Sequence, residues 1–465
     1  LDEVNHKKVM TMAEKFYKTD ITGRVVFHKK IICVIAFCAI VFAGCSGKQD
    51  KPNVIIFFTD DQGYADVGCF GAEGFQTPNF DQMASEGIRF TNFYVPATVC
   101  TPSRAGLLTG QYPKRSNLHE AVLFPYSEGG LSTDKYTMAE MFRDNGYYTS
   151  IVGKWHLGHL PQFMPNEHGF DHFYGVPYSN DMDRHYYRNI DFQSPPLPLY
   201  KNETLIEEGP DQKYLTKRYS EEVIRIIKDR GEDPFFIYLA HNMPHTPLHV
   251  SERFKGKSQK GLYGDVIMEL DWSMGEIVKA LKEEGIYDNT MLIFTSDNGP
   301  VSIESAKPLR GKKATTWEGG QRVPCIMSWP EKIPAGITCD EMVLSMDLFP
   351  TFIDITEAKV PEPLKFDGIS IRDLLEHPAR VKLPERPLVY YARNGKPEAV
   401  RYGKWKLHIA KTLGWSVGKD GEFTVSLYDL EKDIGEAVNV AKDNPEVVEK
   451  LRKMLTDIDA ELSLH

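Results

Sequence analysis

Asn53 to Gly63 reads NVIIFFTDDQG. Val54 to Phe58 is an unbroken apolar run of strand length, rich in β-branched and aromatic residues. Without polar alternation, such a run fits a strand covered on both faces, as in a parallel sheet between helices. Asp60 and Asp61 follow at once, so two carboxylates stand at the carboxyl end of that strand. That edge is where open α/β sheets gather their ligands.

The same pattern repeats along the chain. Residues 148–152 (YTSIV) lead into GKWHLG at 153–158, and residues 235–240 (FFIYLA) into HNMPH at 241–245. Residues 291–295 (MLIFT) lead into Ser296, Asp297, Asn298 and Gly299. Helical patterns lie between them at 78–86, with Thr77 as cap and Gly87 as stop, at 219–228 and at 266–284. The expected class is α/β: a large mixed, mostly parallel sheet sandwiched by helices. From Leu388 the texture changes to short alternating strands, 388–392, 399–401 and 405–409, and then a helix over 445–462. We expect a catalytic domain over 53–375 and a small C-terminal α+β subdomain over 376–465, with the Pro-rich, charged stretch 361–387 as connector.

Asp60, Asp61, Asp297 and Asn298 would offer oxygen ligands alone, which suits a hard cation, Ca²⁺ or Mg²⁺, better than zinc. Neighbouring carboxylates in a cleft would otherwise repel each other. The competing reading is turn formation after a strand, which Asp and Asn favour. Residues 100–110 read CTPSRAGLLTG. Thr101 as N-cap, Pro102 in the first turn and Gly110 as stop put Cys100 just before a helix N-terminus. Unpaired N–H groups and the helix dipole welcome an anion there, and Arg104 adds a cation one turn in. A plain thiol at such a place would be an activated thiolate. Thiolate phosphatases, however, carry Arg six residues after Cys, where this chain has Gly106. A purely structural cysteine is the third reading.

With 55 basic and 65 acidic residues, a formal net charge of −10, the chain has no basic field for nucleic acid. Residues 31–44 (IICVIAFCAIVFAG) follow His28, Lys29 and Lys30, a pattern expected of an export signal over 29–45. Its end, Phe42 to Cys45, is similar to a bacterial lipoprotein cleavage box, which would make Cys45 a lipid anchor, with 46–52 as tether. Residues 1–28 are left unassigned and suggest a misassigned start. The expected location is outside the cytoplasm, in the periplasm or at the bacterial outer membrane. Seven cysteines make no disulfide scaffold in a chain of 465 residues. Cys69 and Cys325 read as core residues.

From about Asn53 onward the chain resembles the type I sulfatases. The resemblance rests on CTPSRAGLLTG at 100–110, GKWHLG at 153–158, PHTP at 244–247, DNG at 297–299 and KATTWEGG at 313–320, in the family's order. Tyr428, Asp429, Leu430, Glu436 and Asn439 match its C-terminal signature. The resemblance implies an alkaline phosphatase-like fold and oxidation of Cys100 to formylglycine (3-oxoalanine) by a separate maturation enzyme. It also implies a divalent metal, Ca²⁺ first and Mg²⁺ second, on Asp60, Asp61, Asp297, Asn298 and the modified Cys100. One hydroxyl of the formylglycine hydrate would attack sulfur, leaving a covalent sulfate, and the other would later expel it. Arg104, Lys154 and Lys313 would surround this centre, His245 would protonate the leaving oxygen, and His156 would take the proton of the second hydroxyl. Counting back from Glu318 selects Lys313 over Lys312. Ser179 matches a serine near the sulfate. In residues 181–188 (DMDRHYYR), Arg184 and His185 are candidates for a sugar subsite. An exported hydrolase of this family meets polymers, so a sulfated carbohydrate is the expected substrate. A phosphonate or phosphate ester hydrolase of the same superfamily and an unmatured surface glycan-binding protein are the alternatives.

Overall fold

The computed structural model describes residues 51–183, 195–231, 233–301, 306–411 and 423–464. The expected export segment, Cys45, Arg184 and His185 lie outside the described residues. Strands come in chain order as β1 (Asn53–Thr59), β2 (Ile88–Phe90), β3 (Phe93–Tyr94), β4 (Tyr148–Lys154), β5 (His172–Val176), β6 (Pro198–Lys201), β7 (Thr204–Glu208) and β8 (Phe235–Ala240). They continue as β9 (Thr290–Ser296), β10 (Cys325–Ser328), β11 (Ile337–Cys339), β12 (Val343–Leu344), β13 (Leu388–Tyr391), β14 (Pro397–Tyr402), β15 (Trp405–His408) and β16 (Ser426–Asp429). The helices are α1 (Pro78–Ser85), α2 (Cys100–Thr109), α3 (Met138–Asp144), α4 (Leu215–Asp229), α5 (Gly261–Glu283), α6 (Glu318–Gln321), α7 (Leu348–Thr356), α8 (Arg372–Glu376) and α9 (Pro445–Leu462).

Among the described residues the main sheet has ten strands in the order β11-β2-β10-β9-β1-β8-β4-β5-β6-β7. Its centre, β9-β1-β8-β4-β5, is wholly parallel. The antiparallel pairs lie outside that centre, β10 with β9 and β2 on one side and β6 with β5 and β7 on the other. The period of two in β1 divides the core. Val54, Ile56 and Phe58 face a layer containing α2, α3, α7 and α8, while Ile55 and Phe57 face α1, α4 and α5. Both layers are dry, which is why β1 reads as a continuous apolar run.

The four strands expected from the sequence are all present, each within two residues of its expected bounds. Helix starts moved more. α4 begins at Leu215, and α1 is capped differently from the expectation: Thr77 Oγ1 accepts Gly68 N–H at 2.8 Å instead of an N–H of its own helix. The first N–H groups of α1 are held from outside by Asp271 on α5, whose Oδ1 accepts from Asn79 and Phe80 at 2.9 Å each. Cys325 is fully buried as expected, but Cys69 is only half-buried.

The C-terminal sheet runs β13-β14-β15-β16, antiparallel throughout, and α9 packs Leu451, Leu455 and Leu462 against it. β16 adds a strand to the three expected. The expected connector is partly core: α8 buries Leu374 and Leu375 in the larger layer. Among the described residues no helix is long and apolar enough to cross a membrane.

Candidate active site

The parallel register pairs Thr59 of β1 with Ser296 of β9, so Asp60 and Asp61 leave the sheet beside Asp297 and Asn298. Asp61 turns in the left-handed region at φ 67°, a conformation Asp tolerates better than most residues. Its N–H donates to Asp297 Oδ1 at 3.0 Å, and Asn298 Nδ2 donates to Asp61 Oδ1 at 2.7 Å. All four side chains are fully buried. Ligand atoms of Asp60, Asp61, Cys100 and His245 lie within 4.8 Å of one another, and Asn298 Oδ1 is buried with no protein partner among the described residues. This oxygen-rich set fits a hard cation. Asp297 Oδ2 also accepts from Arg104, from Nε at 3.1 Å and Nη2 at 2.8 Å.

Cys100 is the first residue of α2, not the residue before it, and extended Val99 is the cap. The expected cap Thr101 is engaged elsewhere. Its hydroxyl donates to His156 O at 2.9 Å and accepts Leu123 N–H at 3.1 Å, tying α2 to the loops that carry His156 and Leu123. Cys100 Sγ lies 3.5 Å from Asp60 Oδ1, 4.0 Å from Asp61 Oδ1 and 3.3 Å from Lys313 Nζ. Burial pushes the thiol well above its ordinary value of 9.0, with Asp297 adding to the rise and Lys154 and Lys313 opposing it. Burial thus works against the activated-thiol reading.

Three cations close the site. Arg104, wholly buried, also holds Lys154 O through Nη1 at 3.0 Å and lies over the Phe58 ring at 5.3 Å. Lys154 Nζ meets Asp60 Oδ2 at 2.6 Å and Ser179 Oγ at 3.4 Å. Burial alone would drive the lysine toward neutrality; the Asp60 carboxylate reverses that and holds its pKa above the ordinary value. β4 delivers Lys154 only because Gly153, at φ 113°, passes so close to β8 that a Cβ would sit 1.9 Å from Ala240 O. Lys313 Nζ meets Asp61 Oδ1 at 2.6 Å, while its neighbour Lys312 is exposed. Lys313 N–H on Pro300 O at 2.7 Å, followed by Ala314 N–H on Thr98 O at 2.9 Å, folds this lysine inward.

His156, at φ 62°, has Nε2 on Leu123 O at 2.9 Å, so Nε2 carries the proton and the buried Nδ1 holds a lone pair with no protein donor. Burial, with Lys154 and Arg104, holds its pKa well below 6.5. His245 Nδ1 lies 2.6 Å from Thr246 O, and its Nε2 lies 3.4 Å from both Asp61 Oδ2 and Ser179 Oγ. The fold thus brings Asp60, Asp61, Cys100, Arg104, Lys154, His156, Ser179, His245, Lys313, Asp297 and Asn298 to one edge. The sequence reading missed Thr101 as a brace and the Leu123 carbonyl that fixes the His156 tautomer. A backbone carbonyl leaves no trace in residue type.

A mostly parallel sheet with buried carboxylates, an amide, a helix N-terminus and three cations at its strand ends defines an alkaline phosphatase-like hydrolase of oxyanion esters. Residues 52–358 match the Sulfatase family, and residues 312–461 match the C-terminal region of N-sulphoglucosamine sulphohydrolase. Arylsulfatase A of Homo sapiens is 36% identical over 445 residues, 87% of each chain. N-acetylgalactosamine-6-sulfatase of Canis lupus familiaris is 36% identical over 403 residues, 81% of this chain and 76% of that protein. Among solved structures, Ps i-CgsB with k-i-k-neocarrahexaose aligns at TM-score 0.75 and 32% identity, covering 87% of this chain and 92% of that one. The PsFucS1 sulfatase of Pseudoalteromonas sp. aligns at 0.78 and 26%, covering 94% and 95%. The chain belongs to the sulfatase family and is a sulfuric ester hydrolase.

Proposed function

We propose that this protein hydrolyses sulfate esters on a carbohydrate outside the cytoplasm, using a formylglycine made from Cys100 and a divalent cation, Ca²⁺ before Mg²⁺. The observation that carries the reading is Cys100 itself: buried at the first turn of α2, its thiol pushed up by burial, and within 4.0 Å of a carboxylate pair and a lysine. A protonated thiol is a poor nucleophile, whereas an oxygen at the Sγ position would sit among groups suited to activating it. The carbohydrate rests on relatives that include an N-acetylgalactosamine-6-sulfatase and a structure holding a neocarrahexaose.

Formylglycine hydrate supplies two hydroxyls on one carbon, one to attack sulfur and one to release the sulfate. Asp60, Asp61, Asp297, Asn298 and the residue at 100 would hold the cation, which would supply Lewis acidity and charge. Lys154 and Lys313 meet sulfate oxygens as charge spreads over them. His156 Nδ1, with its lone pair, accepts the proton of the second hydroxyl. His245, whose Nδ1 is held on Thr246 O, donates to the leaving oxygen from Nε2. Ser179, between Lys154 and His245, orients the ester.

Mass spectrometry of the peptide from Phe90 to Arg104, made beside a maturation enzyme, is the test. Aldehyde at residue 100 with turnover of 4-nitrophenyl sulfate supports the reading; unmodified Cys100 in fully active protein overturns it. Dominant turnover of the phosphonate analogue would move the substrate assignment to another oxyanion.

A further inference from the structure

Glu436 belongs to the C-terminal signature and takes no part in the reaction written above. It is fully buried and sits in the left-handed region at φ 52°. Both its side chain and its backbone act on the segment that carries Lys313. Glu436 Oε2 accepts Glu318 N–H at 2.8 Å, and Glu436 O accepts Arg310 Nη1 at 2.7 Å. Those contacts grip the two ends of residues 310–318, with Lys313 between them.

Other C-terminal residues reinforce the grip. Lys406 Nζ bridges the two carboxylates, 2.9 Å from Glu318 Oε1 and 3.0 Å from Glu436 Oε1. Tyr390 OH donates to Glu318 Oε1 at 2.8 Å, and His408 Nε2 lies 3.0 Å from Glu436 Oε1. Thr316 Oγ1 donates to Glu398 Oε2 at 2.7 Å, and the Trp317 ring lies 4.3 Å from that of His408 and 3.8 Å from the Arg310 guanidinium. Gly319 N–H returns to Arg310 O at 2.7 Å, closing the segment on itself. From this closed segment only the Lys313 side chain is known to reach the carboxylate cluster, meeting Asp61 and Cys100 Sγ.

We propose that Glu436 is a positioning residue for turnover: with Lys406 it fixes both ends of residues 310–318 and so holds Lys313 Nζ against Asp61 and residue 100. A lysine is a point charge on a flexible stem, so its aim is set by the backbone that carries it. A displacement of about 1 Å at a reacting centre is enough for a loss on the order of 10²-fold. The inference rests on Lys313 acting in turnover, as the proposed function has it.

The test is a double-variant cycle on matured enzyme, reading kcat and KM for 4-nitrophenyl sulfate. Glu436→Ala should lower kcat by about 10- to 100-fold with KM changed less than about three-fold. Glu436→Gln, which keeps an acceptor for Glu318 N–H, should recover part of that loss. In a Lys313→Met background, Glu436→Ala should change kcat by less than about two-fold, because the group it aims is gone. Equal losses in both backgrounds, or no loss in either, would overturn the proposal. If Glu436→Ala does not fold, Glu398→Met, which removes the acceptor that holds the Thr316 hydroxyl, is measured in the same two backgrounds and judged by the same outcomes. A Lys313→Met enzyme with undiminished kcat would instead remove the role of Lys313 itself, a failure distinct from additivity.

Discussion

Two buried charge clusters in this molecule are made from the same materials and differ in what they leave unused. Around Glu318 and Glu436, every carboxylate oxygen has a protein donor: Lys406, His408, Tyr94, Tyr390, Arg322 or the Glu318 N–H. Around Asp60, Asp61 and Asp297 the cations are as close, yet Asn298 Oδ1 and His156 Nδ1 remain buried with no protein partner. Each cluster also has an imidazole nitrogen with no protein partner among the described residues, His408 Nδ1 in one and His156 Nδ1 in the other, so the difference rests on Asn298 Oδ1, an acceptor left over beside three carboxylates. An acceptor left without a partner among carboxylates marks capacity for a cation, which counting charges alone does not show.

That contrast can be broken in four ways. The largest effect belongs to Cys100→Ala, which should lower kcat by about 10⁵- to 10⁶-fold, as loss of a nucleophile does elsewhere. Its thermal midpoint should stay within about 2 °C of the parent, since little packing is lost. Lys406→Met should do the reverse in kind: urea denaturation should report a loss of about 3–5 kcal/mol, because two buried carboxylates lose their shared cation. A midpoint unchanged by Lys406→Met would deny the C-terminal cluster its fastening role.

Added Ca²⁺ or Mg²⁺ should stabilise the parent by about 2.7 kcal/mol at one hundred times the dissociation constant, read as a rise in thermal midpoint. Asn298→Ala should abolish most of that rise and leave the midpoint without cation nearly unchanged. The smallest effect concerns acid. Burial would raise the Glu318 carboxyl, but Lys406, Arg401 and Arg322 more than reverse this and hold it well below its ordinary 4.5. The unfolded chain therefore takes up that proton first, so Glu318's contribution is complete above pH 4.5 and is lost as pH falls below it. Denaturation midpoints of Glu318→Gln should fall less steeply than the parent's between pH 4.5 and 3.

Much of the fold was legible because β1, β4, β8 and β9 are buried on both faces and so appear as dense apolar runs. Short strands with two to five residues, such as β2, β3 and β10, carry too little pattern to be read that way. The active-site edge was legible because Asp60, Lys154, His245 and Asp297 each follow a strong strand. The C-terminal fastener was not, for a definite reason: Lys406 in β15 and Glu398 in β14 point polar groups inward, against the alternation that marks a half-buried strand. Their partners lie on distant elements, so the polar inward face makes sense only once Glu318 and Glu436 are beside it. The start of α2 was missed by two residues because Thr101 looked like a cap while its hydroxyl was serving His156 and Leu123.

The distance along the chain between Cys100 and Glu436 orders events in time. Synthesis runs from the amino end, and early segments begin to fold before late ones exist. The helix bearing Cys100 is therefore made long before β15 and Glu436 can draw residues 310–318 over it. In the finished molecule Sγ is almost wholly shielded, with Cys100 only 1% exposed. On the proposed function, a modifying enzyme would therefore act on a growing or newly released chain, and the lateness of the carboxyl-terminal fastener would set how long that opportunity lasts.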